Sequence, residues 1–103
     1  MSEQILITLT VPPRLEDTCI ELLLEHPSTP AFSSAPGRGH GEHPDHLSLS
    51  EQVSGWRREV RIEVLVAAAD RAALLDDLRT RLPTDDVRYL ITPVIEAGSF
   101  GSA

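Results

Sequence analysis

Three histidines, His40, His43 and His46, lie three residues apart near the middle of the chain. Glu42 stands directly before His43, and Asp45 stands directly before His46. Neutral imidazole is the commonest side-chain metal ligand, and nitrogen combined with one or two carboxylate oxygens suits zinc, copper(II) or nickel. The residue types and their spacing therefore predict a site for a divalent transition metal made from these five side chains.

A solvated polar loop is the alternative interpretation of the same stretch. Gly41 and Pro44 interrupt any helix that would present the three imidazoles on one face. A metal would have to order the chain itself, and ordering costs roughly 1–2 kcal/mol of backbone entropy per residue. Metal binding, recognition of another protein and a loop that binds nothing all remain open at this stage.

A second polar group lies further along the chain, where Glu51 and Gln52 are followed by Arg57 and Arg58. Carboxylate and amide oxygens accept hydrogen bonds, while arginine grips a carboxylate or a bicarbonate ion with two parallel bonds. These four residues are therefore candidate ligand-binding residues. The same charges could instead form a salt bridge between two subunits.

The sequence gives no reason to expect an enzyme. No nucleophile with an adjacent base and no glycine-rich phosphate loop occurs in the context that the chemistry requires. Cys19 is the single cysteine, and it falls at a core position of a helical pattern, where we expect a small buried hydrophobic side chain. We therefore predict a protein that binds rather than catalyses.

Length and charge limit the possible classes of protein. The chain has 103 residues, 41 % of them hydrophobic and 24 % charged, so we expect one globular domain over residues 1–97 and a flexible tail over 98–103. The net charge is −7, and the basic residues are all arginine, which argues against nucleic acid as a partner. No long apolar stretch and no secretory signal are visible, which predicts a cytoplasmic protein that does not insert into a membrane.

Hydrophobic periodicity predicts two helices and three clear strands. Pro36 to Gly55 departs from these patterns, because it is rich in glycine, histidine and serine, and it is expected to be a long loop. The predicted elements are a strand over 5–11, a helix over 14–26, a short strand over 31–34, a strand over 59–66, a helix over 71–82 capped by Asp70, and a strand over 87–92.

This order, βαββαβ, predicts an α+β fold of the ferredoxin-like type, with an antiparallel sheet that carries both helices on one face. The other face of the sheet would be a mixed surface that favours association between subunits. The alternation along the strands assigns the following residues to it: Leu6, Thr8, Thr10, Arg61, Glu63, Leu65, Leu90 and Val94.

Several spaced motifs resemble a known group of proteins. They are Gly39-His40-Gly41, Leu47-Ser48, Glu51-Gln52-Val53-Ser54-Gly55 and Tyr89-Leu90-Ile91-Thr92-Pro93-Val94. Together with the arrangement of the elements, they are similar to the PII-like signalling superfamily, and within it to a small uncharacterised family encoded beside heavy-metal efflux pumps. The resemblance covers nearly the whole chain. It also adds Gly39 and Gly41 to the candidate ligand-binding residues.

The resemblance implies a homotrimer with ligand clefts between subunits, each lined by the long loop, and a partner such as a membrane transporter or an efflux component. One feature departs from the nucleotide-binding members. They carry a glycine-rich phosphate loop between the second helix and the last strand, where this chain has Asp85 and Asp86. Acidic residues do not hold phosphate, so the departure disfavours a nucleotide cofactor.

The sequence thus predicts a trimeric PII-like regulator in which a metal ion or small ligand orders the loop. Two alternatives stay open. One is a PII-like regulator that binds an adenine nucleotide or bicarbonate through its arginines and controls a transporter. The other is a scaffold trimer that depends on no small ligand.

Overall fold

The computed structural model describes residues 3–29, 31–41 and 48–101, and for Gln52 and Ser54 it describes the backbone alone. Within these residues, four strands and three helices follow one another along the chain. In chain order they are β1 (Gln4–Val11), α1 (Glu16–Glu25), β2 (Phe32–Gly39), α2 (Leu49–Ser54), β3 (Arg57–Ala67), α3 (Arg71–Arg81) and β4 (Arg88–Val94).

The four strands form one antiparallel sheet in the order β2-β3-β1-β4. Strands β1 and β3 occupy the centre, and β2 and β4 form the edges. The chain consists of two halves, β1-α1-β2 and β3-α3-β4. Each half contributes one central strand and one edge strand to the sheet, which is the ferredoxin-like arrangement. The predicted α+β fold is therefore confirmed.

One face of the sheet carries α1 and α3 and holds the core. Strand β3 contributes its even-numbered aliphatic residues to this face, because successive side chains of a strand point to opposite faces. The helices contribute residues at spacings of three and four, as an amphipathic helix does. The resulting core cluster contains Ile7, Leu9, Val11, Cys19, Leu22, Leu23, Val60, Ile62, Val64, Val66, Leu74, Leu78 and Leu82.

The opposite face, which we name the open face, carries the polar and half-buried residues of the same strands. Thr10 lies between Arg61 of β3 and Arg88 of β4, and Thr8 lies between Glu63 and Leu90. The register therefore places the predicted residues of this face together. Leu6 and Leu65 are paired further along β1 and β3 and are only partly buried.

The prediction of a long loop over residues 36–55 is wrong at both of its ends. Pro36 belongs to β2, which continues to Gly39, and α2 occupies Leu49–Ser54. Proline is tolerated there because β2 is an edge strand, so that the missing N–H leaves no gap in the sheet. Pro36 lies opposite Val60 in the ladder with β3. The predicted strand over 31–34 therefore continues to Gly39, and the high glycine and proline content hid this continuation from periodicity analysis.

The ends of two other elements also differ from the prediction. The first helix begins at Glu16 rather than Arg14, because a 3-10 turn over Pro13–Leu15 precedes it. Asp70 does not cap the last helix with its side chain, since it ends a second 3-10 turn, Ala68–Asp70, and has a helical backbone itself. The chain thus enters both long helices through a tight turn.

The helices of the described residues are short. None of those helices has the length and the apolar content that a bilayer crossing requires.

Candidate functional site

The predicted metal ligand His40 directly follows the last residue of β2. Its side chain is exposed, and the next residue, Gly41, has a φ of 79°. This left-handed conformation is easily adopted only by glycine. Among the described residues, no atom lies within 4 Å of the position that a Cβ would take at Gly41. Glycine is therefore favoured at position 41 by the left-handed backbone conformation.

The other four predicted metal ligands, Glu42, His43, Asp45 and His46, lie outside the described residues. Within residues 3–29, 31–41 and 48–101, no three side chains of His, Cys, Asp or Glu come together in a way that could hold a metal ion. Of the predicted metal ligands, His40 is the one that belongs to the described part of the chain.

Ser48 and Glu51 cap the N-terminus of helix α2. The Ser48 hydroxyl accepts a hydrogen bond from the Glu51 backbone N–H at 3.2 Å, and Glu51 Oε1 accepts one from the Ser48 N–H at 3.0 Å. This reciprocal pair is a capping box, which satisfies N–H groups that have no partner inside the helix. At the other end of α2, Gly55 adopts the left-handed conformation that commonly ends a helix.

The second carboxylate oxygen of Glu51 reaches the sheet. Glu51 Oε2 accepts a hydrogen bond from the Arg58 backbone N–H at 3.0 Å. The backbone N–H groups of Ser48 and Arg58 favour the charged carboxylate, and they lower the pKa of Glu51 below its ordinary value of 4.5. The predicted ligand residue Glu51 therefore joins α2 to β3, with both of its oxygens already accepting hydrogen bonds.

The predicted ligand residue Gly39 is explained by a buried carboxylate on the neighbouring strand. Glu59 is only 6 % exposed although it lies on the open face. A Cβ at Gly39 would overlap Glu59 Oε1 and would come within 3.1 Å of Arg57 Cγ. Gly39 thus leaves the space in which the Glu59 carboxylate lies. Glu59 Oε2 also lies 3.5 Å from Arg61 Nε.

Arg57 and Arg58 lie on opposite faces of β3, because consecutive residues of a strand alternate. They nevertheless meet at the end of the sheet, where both line a cavity of about 390 Å³ with Glu51. We name this space the base cavity. Its other lining residues are Pro12, Pro13, Arg14, Ser48, Glu59 and Asp86.

The structure therefore brings three predicted ligand-binding residues, Glu51, Arg57 and Arg58, to one cavity. Its charges are balanced, because three arginines face three carboxylates there. Arg14 and Asp86 form an ion pair within it. For the fourth predicted residue, Gln52, the structure gives a position in α2 and no side chain.

Trp56 has a structural contact beside this region. The guanidinium of Arg38, at the end of β2, lies over the Trp56 ring with 4.6 Å between Arg38 Cζ and the ring centroid. This cation–π geometry joins the end of β2 to the residue that precedes β3. Trp56 therefore has a packing role between these two strands.

A second cavity, of about 630 Å³, opens on the open face, and we name it the open-face cleft. Its lining combines arginines from three strands with threonine hydroxyls from β1. The lining residues are Thr8, Thr10, Arg38, Gly39, His40, Glu59, Arg61, Arg88, Tyr89 and Leu90. The register pairs Arg38 with Arg58 and so directs its side chain to the other face, whereas Arg61 and Arg88 lie on the open face with Glu59, the carboxylate that the described lining contains.

Sequence reasoning missed Glu59, Thr10 and Arg88 as residues of these sites. The alternation along β3 gave one available signal, since it assigns Arg57, Glu59 and Arg61 to a single face. The alignment of Arg88 with Arg61 across Thr10 depends on the register of three strands. No pattern within one strand contains that register.

Cys19 is buried in α1, as predicted. Burial disfavours the thiolate and raises the pKa of Cys19 to about 11. A thiol with such a pKa is almost entirely protonated at neutral pH. Cys19 therefore acts as an apolar side chain of the core.

Comparison with known proteins places this fold in a family. A match over residues 1–101 is found to a family described as "Protein of unknown function (DUF3240)". The chain belongs to the DUF3240 family. The broader resemblance to PII-like proteins is supported by this match and by the solved structures that follow. No curated protein matches the sequence.

The solved structures that are similar to the chain include the following three. A DUF3240 family protein from Shewanella baltica OS155 is 25 % identical, with a TM-score of 0.78 over 96 % of this chain and 98 % of the other. CutA1 from the psychrotrophic bacterium Shewanella sp. SIB1 is 20 % identical, with a TM-score of 0.71 over 97 % and 87 %. A Bacillus cereus protein related to NIF3 is 20 % identical, with a TM-score of 0.72 over 95 % of this chain and 27 % of that longer one.

These likenesses establish the PII-like, ferredoxin-like fold. At 20 % identity, the likeness to CutA1 shows the fold alone. Function has to be argued from the residues of this chain, because one fold carries many activities.

Proposed function

We propose that this DUF3240 protein is a trimeric PII-like regulator that acts by binding a divalent transition metal through the segment from His40 to His46. The observation that carries the proposal is the way in which the segment is held at its two ends. His40 follows Gly39, which pairs with Arg57 at the start of β3. On the other side, Ser48 is joined through Glu51 to the Arg58 N–H.

Both ends of the segment are thus attached to the first two residues of β3. A ligand that changes the segment would act on α2 through Ser48 and on the sheet through Glu51. Differential affinity for two arrangements of one segment is the requirement for a ligand-driven switch. The donor set supports a borderline metal, because three imidazoles and two carboxylates are available between residues 40 and 46.

The base cavity offers little support for the alternative of a nucleotide or bicarbonate. Phosphate sites need an excess of positive charge or a cluster of free backbone N–H groups. Here the arginines are balanced by carboxylates, and Asp86 is one of them. Both oxygens of Glu51 also accept backbone hydrogen bonds already. Metal binding is therefore the better-supported function.

Calorimetric titration of chelator-treated protein with zinc, copper(II) and nickel tests the proposal. We expect binding heat in the natural protein and its loss in the triple variant His40→Ala, His43→Ala, His46→Ala. The matched control is His26→Asn. His26 follows α1, and its Nδ1 accepts a hydrogen bond from the Ser28 N–H that an asparagine oxygen could replace. We expect this control to bind metal as the natural protein does.

Binding that survives in the triple variant would contradict the assignment to these histidines. Light scattering on the same samples tests the trimer, for which we expect three times the chain mass of 11.3 kDa. A trimer without any metal-dependent heat would favour the scaffold alternative.

The proposed partner is a component of heavy-metal efflux, as the family resemblance implies. If the link is correct, deletion of the gene should change the tolerance of cells to the metal that binds in the titration. Unchanged tolerance to that metal would contradict the link to efflux without affecting the binding result.

A further inference from the structure

We propose that residues 95–101, which follow β4, extend to a neighbouring copy of the chain and place the Phe100 side chain in an apolar pocket between its α3 and β4. We name these residues the Phe100 segment. The inference rests on the proposed trimer and specifies one contact between its subunits. It uses none of the histidine-rich segment, and it requires no metal.

Two large apolar side chains of the Phe100 segment are fully exposed. The exposed fraction is 103 % for Ile95 and 112 % for Phe100. No described part of the chain therefore covers either of them. A phenylalanine removes about 150–250 Å² from water when it is buried, so a contact that covers Phe100 is favourable. No charged residue stands between Ala97 and Gly101, so this part of the segment can enter an apolar pocket without burying an ion.

An apolar pocket of about 510 Å³ lies between α3 and β4. We name it the edge pocket, because β4 is an edge strand of the sheet. Its floor consists of four buried leucines, which are Leu9, Leu75, Leu78 and Leu82. A cavity of about 150 Å³ is enough to bind benzene, so the edge pocket has room for a phenyl ring.

The edge pocket is open because the helices cover β4 less completely than β1. Tyr89 is paired with Leu9 and therefore projects to the same face, yet Tyr89 is 51 % exposed while Leu9 is 2 % exposed. The Tyr89 hydroxyl accepts a hydrogen bond from Arg79 Nη2 at 3.0 Å, which holds the ring at the rim of the pocket. A second aromatic ring that enters there can pack against Tyr89 edge-to-face or with an offset. Phenylalanine thus matches both the apolar floor and the aromatic rim.

The pocket of a neighbouring copy is the better partner, because the Phe100 segment and the edge pocket lie at opposite ends of β4. Tyr89 lines the pocket and Val94 ends the strand, which places roughly 17 Å between them. Phe100 would have to return along the strand to reach the pocket of its own chain, and its full exposure shows that it does not. A contact between two different surfaces of identical chains is head-to-tail, and such contacts close into a ring when the rotation between copies allows it. A ring of three copies is the trimer proposed above.

Light scattering over a range of protein concentrations, with EDTA present, tests the contact. Phe100→Ala should raise the concentration at which half of the trimer dissociates by about 10-fold or more, because a buried aromatic anchor is lost from the interface. Phe100→Leu keeps an apolar side chain and should raise that concentration less. Leu24→Ala is the matched control, since Leu24 is a 70 % exposed apolar residue of α1 outside the pocket lining. We expect this control to associate as the natural protein does.

Disulfide cross-linking identifies the pocket that receives the ring. Chains with Phe100→Cys are mixed with chains that carry Tyr89→Cys and are oxidised with oxidised glutathione. We expect a covalent dimer of the two chains. A mixture of Phe100→Cys with Leu24→Cys is the control and should give no such dimer. The natural Cys19 is buried and stays in every variant.

Each failure has a distinct result. Equal association of Phe100→Ala and the natural protein would overturn this inference and leave the proposed trimer intact, whereas a natural protein that is monomeric at every concentration would overturn both. A disulfide within one chain, formed when Phe100→Cys and Tyr89→Cys are combined, would assign the pocket to the segment of its own chain and would overturn the inference. Equal cross-linking to Leu24→Cys would show unspecific contact and would do the same. Because EDTA is present throughout, the metal titration of the histidine-rich segment is unaffected.

Discussion

The two faces of the sheet are built from the same strands and have opposite chemistry. On the face covered by α1 and α3, β3 contributes four buried side chains beyond the exposed Arg58, and they are Val60, Ile62, Val64 and Val66. On the open face, the same strand presents arginine and glutamate in alternation from Arg57 to Glu63. Because successive side chains of a strand point to opposite faces, β3 packs the core with one set of residues and presents polar groups with the other.

The difference lies in what holds each face together. The covered face depends on the removal of apolar area from water, at roughly 25 cal/mol for each Å². The open face depends on specific pairs, such as Glu59 with Arg61, and on the absence of a side chain at Gly39. Apolar packing tolerates exchange among aliphatic residues of similar volume, whereas a paired charge requires its particular partner.

The largest effect should come from truncation of the covered face. Ile62 is completely buried, and Ile62→Ala should lower the free energy of unfolding by about 2–4 kcal/mol, because it removes buried carbons and leaves a cavity. Leu65→Ala on the same strand removes the same number of carbon atoms from the half-buried open face. It should cost about 1 kcal/mol or less. Urea unfolding measures both values.

The Leu65 variant also tests association through the open face. If a second copy covers Leu65 at the protein concentration used, the cost of Leu65→Ala should rise with concentration, because unfolding is then linked to dissociation. An equal and concentration-independent cost for Leu65→Ala and Ile62→Ala would contradict the contrast between the two faces.

A smaller effect is expected at the two glycines of β2 that face Glu59. A Cβ at Gly37 would lie 3.5 Å from Glu59 Cγ, which is an ordinary contact, and Gly37→Ala should be neutral or slightly stabilising. A Cβ at Gly39 would overlap the Glu59 carboxylate. Gly39→Ala should therefore be less stable than Gly37→Ala by about 1–3 kcal/mol in urea unfolding.

A double-mutant cycle tests the reason for this difference. In a Glu59→Ala background the overlap with the carboxylate is removed while the tight contact with Arg57 Cγ remains, so the difference between the two alanine variants should shrink by about half or more. If Gly39→Ala keeps its full cost without the Glu59 side chain, Arg57 or the backbone of Gly39, and not the carboxylate, is responsible.

The covered face could be predicted from the sequence almost completely. Period-two alternation along β1 and β3, and helical spacing at Leu74 and Leu78, are local patterns that survive in the structure. The short strand predicted over 31–34 marks the first half of β2, and the second half escaped prediction because Pro36, Gly37 and Gly39 are unfavourable in most strands. They are acceptable here because β2 is an edge strand and because Glu59 needs the space beside it.

The sites were predicted less well, for a related reason. Glu51 was recognised as a special residue from a local motif, and a local capping box explains much of that signal. The open-face cleft depends instead on Thr10 meeting residues more than fifty positions away, Arg61 and Arg88, across two strand pairs. Register is a property of the assembled sheet, so residues that meet only through register stay hidden in the sequence.

The smallest effect concerns Glu51, whose polar contacts should respond to pH while the covered face does not. Hydrogen bonds from the N–H groups of Ser48 and Arg58 lower its pKa below 4.5. A carboxylate with a lowered folded pKa stabilises the fold above its unfolded pKa, and this contribution is lost as pH falls through the folded value. Below about pH 4.5, the attachment of α2 to β3 should therefore weaken progressively.

Amide chemical shifts in an NMR titration from pH 6 to about pH 3 measure this directly. The Arg58 amide should titrate with the lowered pKa of Glu51, and the amide of the buried Ile62 should not follow it. In Glu51→Gln the pH-dependent shift of the Arg58 amide should disappear. Glu63 is an exposed glutamate on the strand that contains Arg58, and Glu63→Gln should leave that shift intact. A titration that persists in Glu51→Gln would place the responsible charge elsewhere. That result would contradict the proposal that a change in the segment from His40 to His46 reaches the sheet through Glu51.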